Sequence, residues 1–242
     1  MRVLIVGASS GVGRELGRQL ADAGHSVAFA ARRRQLVEEA AEEHGGVSLV
    51  CDVRDEASCA GLVAEAVGAL GGLDALVYST AVDPLVKLAD ADAARWRNTF
   101  ETNVFGAALV TNAALPHLRS SKGRAVYISA SSIDRPLPGM GVYAASKYAL
   151  ETMVRGYQAE HPDVCFANVR IGSALPTGVT DSWDRDLLVE LSQTWLALGY
   201  IHDNGPGGPM TVEQAAAAVL AAVTSPVWLR DLTAVSLPSA GG

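Results

Sequence analysis

The chain has 242 residues, 49% hydrophobic and 19% charged, which suits one α/β domain with a large buried core and excludes a disordered chain. Its net charge of −7 argues against nucleic acid as a partner, because phosphate-backbone binding needs clustered excess Lys and Arg, and the run Arg32-Arg33-Arg34 is too short to reverse that. Cys51, Cys59 and Cys165 are odd in number and lack CxxC spacing, so no disulfide framework or metal site is expected and a reducing, cytoplasmic setting fits.

Short apolar runs alternate with amphipathic stretches of helical length. The first run, RVLIV (2–6), begins too early to leave room for a signal peptide. It leads into GASSGVG (7–13), which opens the helical stretch 11–24. Glycines there permit a tight turn and close backbone approach to a pyrophosphate, and a helix start offers free N–H groups and a positive dipole end. Gly7, Ser9, Ser10, Gly11, Val12 and Gly13 are therefore candidate cofactor contacts, although a strand-to-helix turn often needs glycines for its own sake. The second strand, SVAFAA (26–31), ends without the acidic residue that would accept from a ribose 2′-hydroxyl. Arg32 instead offers a planar guanidinium suited to a 2′-phosphate, which favours NADP over NAD; the alternative is a solvated basic start to the helix at 33–44.

VSLV (47–50) is followed by CDV (51–53). There Asp52, with Val53 beside it, either meets an adenine amino group or caps the next turn. The stretch 56–70 sets Leu62, Val63, Ala66, Val67 and Leu70 on one helical stripe. DALVYS (74–79), a long helical segment near 92–119 and RAVYIS (124–129) follow. VYAASKYALETMVRGY (142–157) then brings Tyr143 and Lys147 to one helix face at i and i+4. A phenol titrates near 10 in water, and a nearby ammonium is expected to lower that and make a general acid/base. VCFANV (164–169) and LTAVSL (232–237) are the remaining strands. Between them, about 172–210 is irregular around a short helical piece and is expected to be a substrate lid. The longest helical apolar stretch, LLVELSQTWLALGY, carries polar residues and is too short to cross a bilayer, so no membrane partner is expected. Alternation of this kind means a parallel sheet covered on both faces.

With these motifs in view, the chain resembles the short-chain dehydrogenase/reductase family over essentially its whole length. GASSGVG matches its glycine-rich turn, Asp52 its adenine contact and Tyr143-Ala-Ala-Ser-Lys147 its YxASK motif. The resemblance implies a single doubly wound, Rossmann-type domain over 1–242 with seven strands in the order 3-2-1-4-5-6-7. Asn103 falls where the family has the helix asparagine that holds a water linking the lysine to solvent. Tyr78-Ser79-Thr80-Ala81 stands in place of NNAG, which makes Thr80 and Ala81 cofactor-side residues and adds a methyl group at 81. Ile171-Gly172 replaces PG, and Thr177 corresponds to the loop threonine that touches the nicotinamide carboxamide. The family's serine, thirteen residues before the tyrosine, is Ala130 here; Ser132 keeps its strand parity, and Ser131 reaches the site only if the turn bulges.

The resemblance implies an NADP(H)-dependent oxidoreductase that interconverts a carbonyl and a secondary alcohol. Tyr143, Lys147, Asn103 and Ser132 are the expected catalytic residues. The alternative is a cofactor-binding sensor or scaffold with little or no activity. Trp183, Trp195, Leu196, Leu198 and Tyr200 either face an apolar substrate or form the core of the lid, and His202 reads as a loop histidine rather than a ligand. The family commonly forms homodimers or homotetramers through the helices near 92–119 and 141–160.

Overall fold

In the computed structural model, which describes residues 1–200 and 208–237, the strands in chain order are β1 (Arg2–Val6), β2 (Ser26–Ala31), β3 (Val47–Val50), β4 (Ala75–Tyr78), β5 (Arg124–Ala130), β6 (Cys165–Ile171), β7 (Ala174–Leu175), β8 (Met210–Thr211) and β9 (Asp231–Ala234). Seven of them form one parallel sheet in the order β3-β2-β1-β4-β5-β6-β9. This is the expected arrangement. The last strand counts ninth only because β7 and β8, which were not expected, pair separately at the base of the irregular segment.

The helices are α1 (Gly11–Asp22), α2 (Arg34–His44), α3 (Glu56–Leu70), α4 (Ala93–Phe100), α5 (Gly106–Ser121), α6 (Gly141–Glu160), α7 (Arg185–Ala197) and α8 (Val212–Thr224). Strand alternation along β1 sends Leu4 and Val6 towards α3, α5 and α6, and Val3 and Ile5 towards α1, α2 and α8. Both faces are thus buried. The expected stripe on α3 is the one that packs, and the helix is bounded by Asp55, which accepts from the Ser58 N–H at 2.7 Å, and by left-handed Gly71.

Two differences from the sequence reading matter. The segment near 92–119 is not one helix: a π-helical turn, Glu101–Phe105, separates α4 from α5. The Tyr78 hydroxyl donates to the Thr102 carbonyl inside that turn, and Gly106 leaves room for it, since a Cβ there would lie 2.7 Å from the phenol oxygen. Helix α8 was not expected, because its run of alanines blurs the contrast between faces. Its buried residues Val212, Ala215, Ala216, Val219, Ala222 and Val223 nevertheless follow helical spacing. Among the described residues no helix is long and apolar enough to cross a membrane.

The chain winds away from β1 and β4 in opposite directions, so a crevice opens beyond their C-terminal ends. The walls meet tightly there. A Cβ on Gly7, whose φ is +98°, would come within 2.6 Å of the Thr80 backbone nitrogen.

Candidate active site

A cavity of about 640 Å³ occupies that crevice, within the range of small-molecule and cofactor sites. Of the expected contacts, Gly7, Ser9, Ser10, Gly11, Val12, Arg32 and Val53 line its phosphate-turn side, and Thr80, Ala81 and Thr177 line its middle. Tyr143, Lys147 and Ser132 line the far side, with Ser131 and Ala130. Thr177 lies against the glycine turn, because a Cβ on Gly11 would sit 2.9 Å from its carbonyl oxygen.

Three expected residues stand behind the wall. Gly13 keeps α1 against the strand ends: a Cβ there would strike the Gly7 carbonyl and lie 3.0 Å from the Ser79 hydroxyl. Asp52 turns its carboxylate to Arg54. One oxygen accepts from that guanidinium at 2.6 Å; the other accepts from it at 3.0 Å and from the Arg54 N–H at 3.1 Å. Arg54 accordingly holds the Asp52 carboxyl down to about 2. This geometry is the turn cap that the sequence left open as an alternative.

Asn103 is fully buried in the π turn. Its Oδ1 accepts from the Val82 N–H at 2.8 Å, and its Nδ2 donates to the Val82 carbonyl and the Ser146 hydroxyl, both at 2.9 Å. Ser146 donates in turn to the Tyr143 carbonyl at 2.7 Å. In this geometry the asparagine braces the exit of β4 against the turn that carries the tyrosine.

Lys147 donates to the Ile128 carbonyl at 2.7 Å, and its Nζ lies 5.7 Å from the centre of the Tyr143 ring. Burial lowers the Lys147 amine to about 8, against the opposing pull of Asp83 and Glu151. Burial also pushes the Tyr143 phenol well above its usual range, and the Asp83 charge pushes it further. That direction is the reverse of the lowering expected from sequence. Burial outweighs the neighbouring amine, which is itself pushed down by burial and so does not offset the rise. At neutral pH the pair is ammonium beside neutral phenol.

Sequence reasoning missed two residues. Arg33, the residue before α2, donates from Nη2 to the Ser9 and Ser10 hydroxyls at 2.8 and 2.7 Å, and from Nε to Ser9 at 3.2 Å. It lines the cavity with Arg32, and the signal was present in the run of three arginines. The other is Asp83, a lone acid in the apolar stretch AVDPLV. Only 7% exposed, it lines the cavity, and its Oδ1 has no hydrogen-bond partner. Burial raises its carboxyl to about 7, although Lys147 pulls the other way.

The irregular segment supplies the outer wall. Trp183, Trp195 and Tyr200 line the cavity, whereas Leu196 and Leu198 are 64% and 51% exposed and do not. The Trp183 indole donates to the Asp83 carbonyl at 2.8 Å, and the Trp195 indole to the Pro138 carbonyl at 2.9 Å. His202 lies outside the described residues.

The family model described as short chain dehydrogenase matches residues 1–187. The chain is 38% identical over 156 residues to a hydroxysteroid 11-beta-dehydrogenase 1-like protein of Xenopus tropicalis, covering 62% of this chain and 54% of that protein. It is 32% identical over 200 residues to dehydrogenase/reductase SDR family member 4 of Oryctolagus cuniculus, covering 79% and 76%. The chain spans about half the length of the hydroxysteroid-dehydrogenase relatives it matches. Among solved structures, an alcohol dehydrogenase from Thermococcus sibiricus complexed with 5-hydroxy-NADP superposes with a TM-score of 0.81 at 23% identity, covering 100% of this chain and 99% of that one, which speaks for the fold.

Proposed function

The chain belongs to the short-chain dehydrogenase/reductase family, and from that premise we propose an NADP(H)-dependent oxidoreductase that interconverts a carbonyl and a secondary alcohol on an apolar small molecule. The observation that carries this reading is a half-buried tyrosine and a buried lysine sharing one cavity with a glycine turn too tight for any side chain. The residues fit a dinucleotide: Gly7 and Gly11 leave bare backbone for a pyrophosphate, Arg32 and Arg33 offer cations for a 2′-phosphate, and Lys147 is available to ribose hydroxyls. When bound, the nicotinamide cofactor supplies or takes up a hydride.

The protein's own part is the proton. Tyr143 rests as a neutral phenol, the form that donates to a carbonyl oxygen as the carbon gains hydride. Lys147, still an ammonium at neutral pH, then faces a phenolate rather than a phenol and stabilises it. The tryptophans over the cavity, and the names of the hydroxysteroid-dehydrogenase relatives, support an apolar substrate of several rings. Phe105, at the end of the π turn before α5, and Tyr148, on α6, are both exposed and support pairing of copies through these helices. The test is NADPH oxidation against a panel of cyclic ketones. Cofactor binding without turnover of any of them would favour the second reading, a non-catalytic cofactor binder, which Ala130 supports by its lack of a hydroxyl.

Cofactor choice gives a separate expectation. Arg32→Ala and Arg33→Ala should each weaken NADPH binding by about 1.5–3 kcal/mol, as for a charge-assisted hydrogen bond, and leave NADH nearly unchanged. Titration of nicotinamide fluorescence measures both, and equal losses for the two cofactors would remove the arginines from phosphate recognition.

A further inference from the structure

Ala130 leaves the reacting oxygen of a bound carbonyl without the hydroxyl that the family pattern provides. Among the described residues two buried polar side chains that line the same cavity have an atom without a hydrogen-bond partner, the Ser129 hydroxyl and the Asp83 carboxyl, and only the second is an acid. Asp83 is 7% exposed, lines the cavity with Tyr143, Lys147 and Ala130, and leaves Oδ1 unsatisfied. A buried polar atom without a partner is costly, so a native fold that keeps one calls for an explanation.

The backbone that carries Asp83 is held on both sides. Asn103 clamps the N–H and carbonyl of Val82 from the π turn. The Trp183 indole takes the Asp83 carbonyl from the lid side. Such bracing fixes the backbone from which the carboxyl projects before any substrate arrives, and an oxyanion donor requires a preset position. The titratable groups facing it are Tyr143 and Lys147, both on α6, and the lid presents Trp183, which does not titrate. Beside a fully charged carboxylate the Tyr143 phenol would be a poorer acid; beside a neutral carboxyl it is not.

We propose that Asp83 is a catalytic residue of this site, its protonated carboxyl donating a hydrogen bond to the substrate's reacting oxygen where Ala130 offers none. In reduction the carbonyl carbon gains hydride from NADPH, which is oxidised to NADP. The carbonyl π bond breaks, the oxygen takes the proton of Tyr143, and Asp83 keeps its own. The inference rests on the carbonyl reductase reading above.

With androstanedione as the ketone probe, Asp83→Ala should lower kcat about 100- to 1,000-fold, the loss seen when one oxyanion donor is removed. Asp83→Asn, which still donates, should keep activity within about tenfold of wild type. Adding Ala130→Ser to Asp83→Ala should recover at least about tenfold, because the hydroxyl returns by the other route. The donor form is lost as pH rises, so wild-type kcat should fall above about 7, whereas Asp83→Asn keeps its donor at every pH and any fall that remains should follow the Lys147 amine, which no longer has the Asp83 charge to hold it up. Infrared difference spectra of the wild-type protein should carry a protonated-carboxyl band below pH 7 that Asp83→Asn lacks.

Unchanged turnover in Asp83→Ala while Tyr143→Phe is dead would overturn this inference and leave the reductase reading standing. A missing infrared band would overturn it whatever the rates. A wild-type protein that reduces no ketone would sink the reductase reading, and this one with it.

Discussion

Tyr143→Phe is expected to lower kcat for ketone reduction about 1,000-fold and to change the NADPH dissociation constant by no more than a few-fold. A positioned general acid contributes about 10²–10⁴ in rate, and a thousandfold corresponds to about 4 kcal/mol of barrier. The ring stays in place, because it is held by its helix and by the Ser146 contact to the Tyr143 backbone carbonyl, neither of which needs the hydroxyl. Only the proton is removed. Stopped-flow reduction with matched cofactor titrations separates the two quantities. A variant with wild-type kcat would mean that the proton comes from elsewhere, and an equal loss of NADPH affinity would make the phenol a binding group instead.

The burden on that phenol differs from what its spacing to Lys147 suggests. Two residues four apart on a helix share a face whatever surrounds them, so the pairing was legible in YAASK. The depth of the cavity was not legible, and depth decides the protonation states: burial carries the phenol up and the amine down until the two titrate in the order opposite to a tuned phenolate. Asp83 was missed for the same reason. In AVDPLV it reads as a turn acid, and only the packing of Trp183 and the clamp of Asn103 on Val82 enclose it.

The sheet was easier to read, because β-branched runs at regular intervals carry their own signal and the crossover rule leaves few topologies. What escaped notice was local. Helix α8 hides in alanines, and the π turn at Glu101–Phe105 has no sequence period that separates it from the helices on either side. Position mattered more than residue type at the cofactor end. Among three consecutive arginines, the exit angle of β2 sets Arg33 on the serines of the glycine turn, and composition cannot choose between neighbours.

Lys147→Met should lower kcat about 100-fold or more while leaving thermal stability within a few degrees of wild type. The rate loss follows from distance: a unit cation 5.7 Å from the ring, at an effective dielectric of about 20, stabilises a developing phenolate by about 3 kcal/mol. The small stability change follows from two opposing effects. Burial lowers the amine from 10.5 to about 8, so holding the ammonium at neutral pH costs roughly 3 kcal/mol, which methionine avoids. Methionine also leaves the Ile128 carbonyl without its donor, a cost of about 1–3 kcal/mol. The pH dependence fixes the sign. With the folded pKa below the unfolded one, the unfolded chain binds more protons between about 8 and 10.5, so wild-type stability from this group rises with pH across that window, and the methionine variant should lack the rise. Melting curves at pH 7.5 and about 10 read it directly; a variant that melts far lower at neutral pH would show that the ammonium holds the fold together.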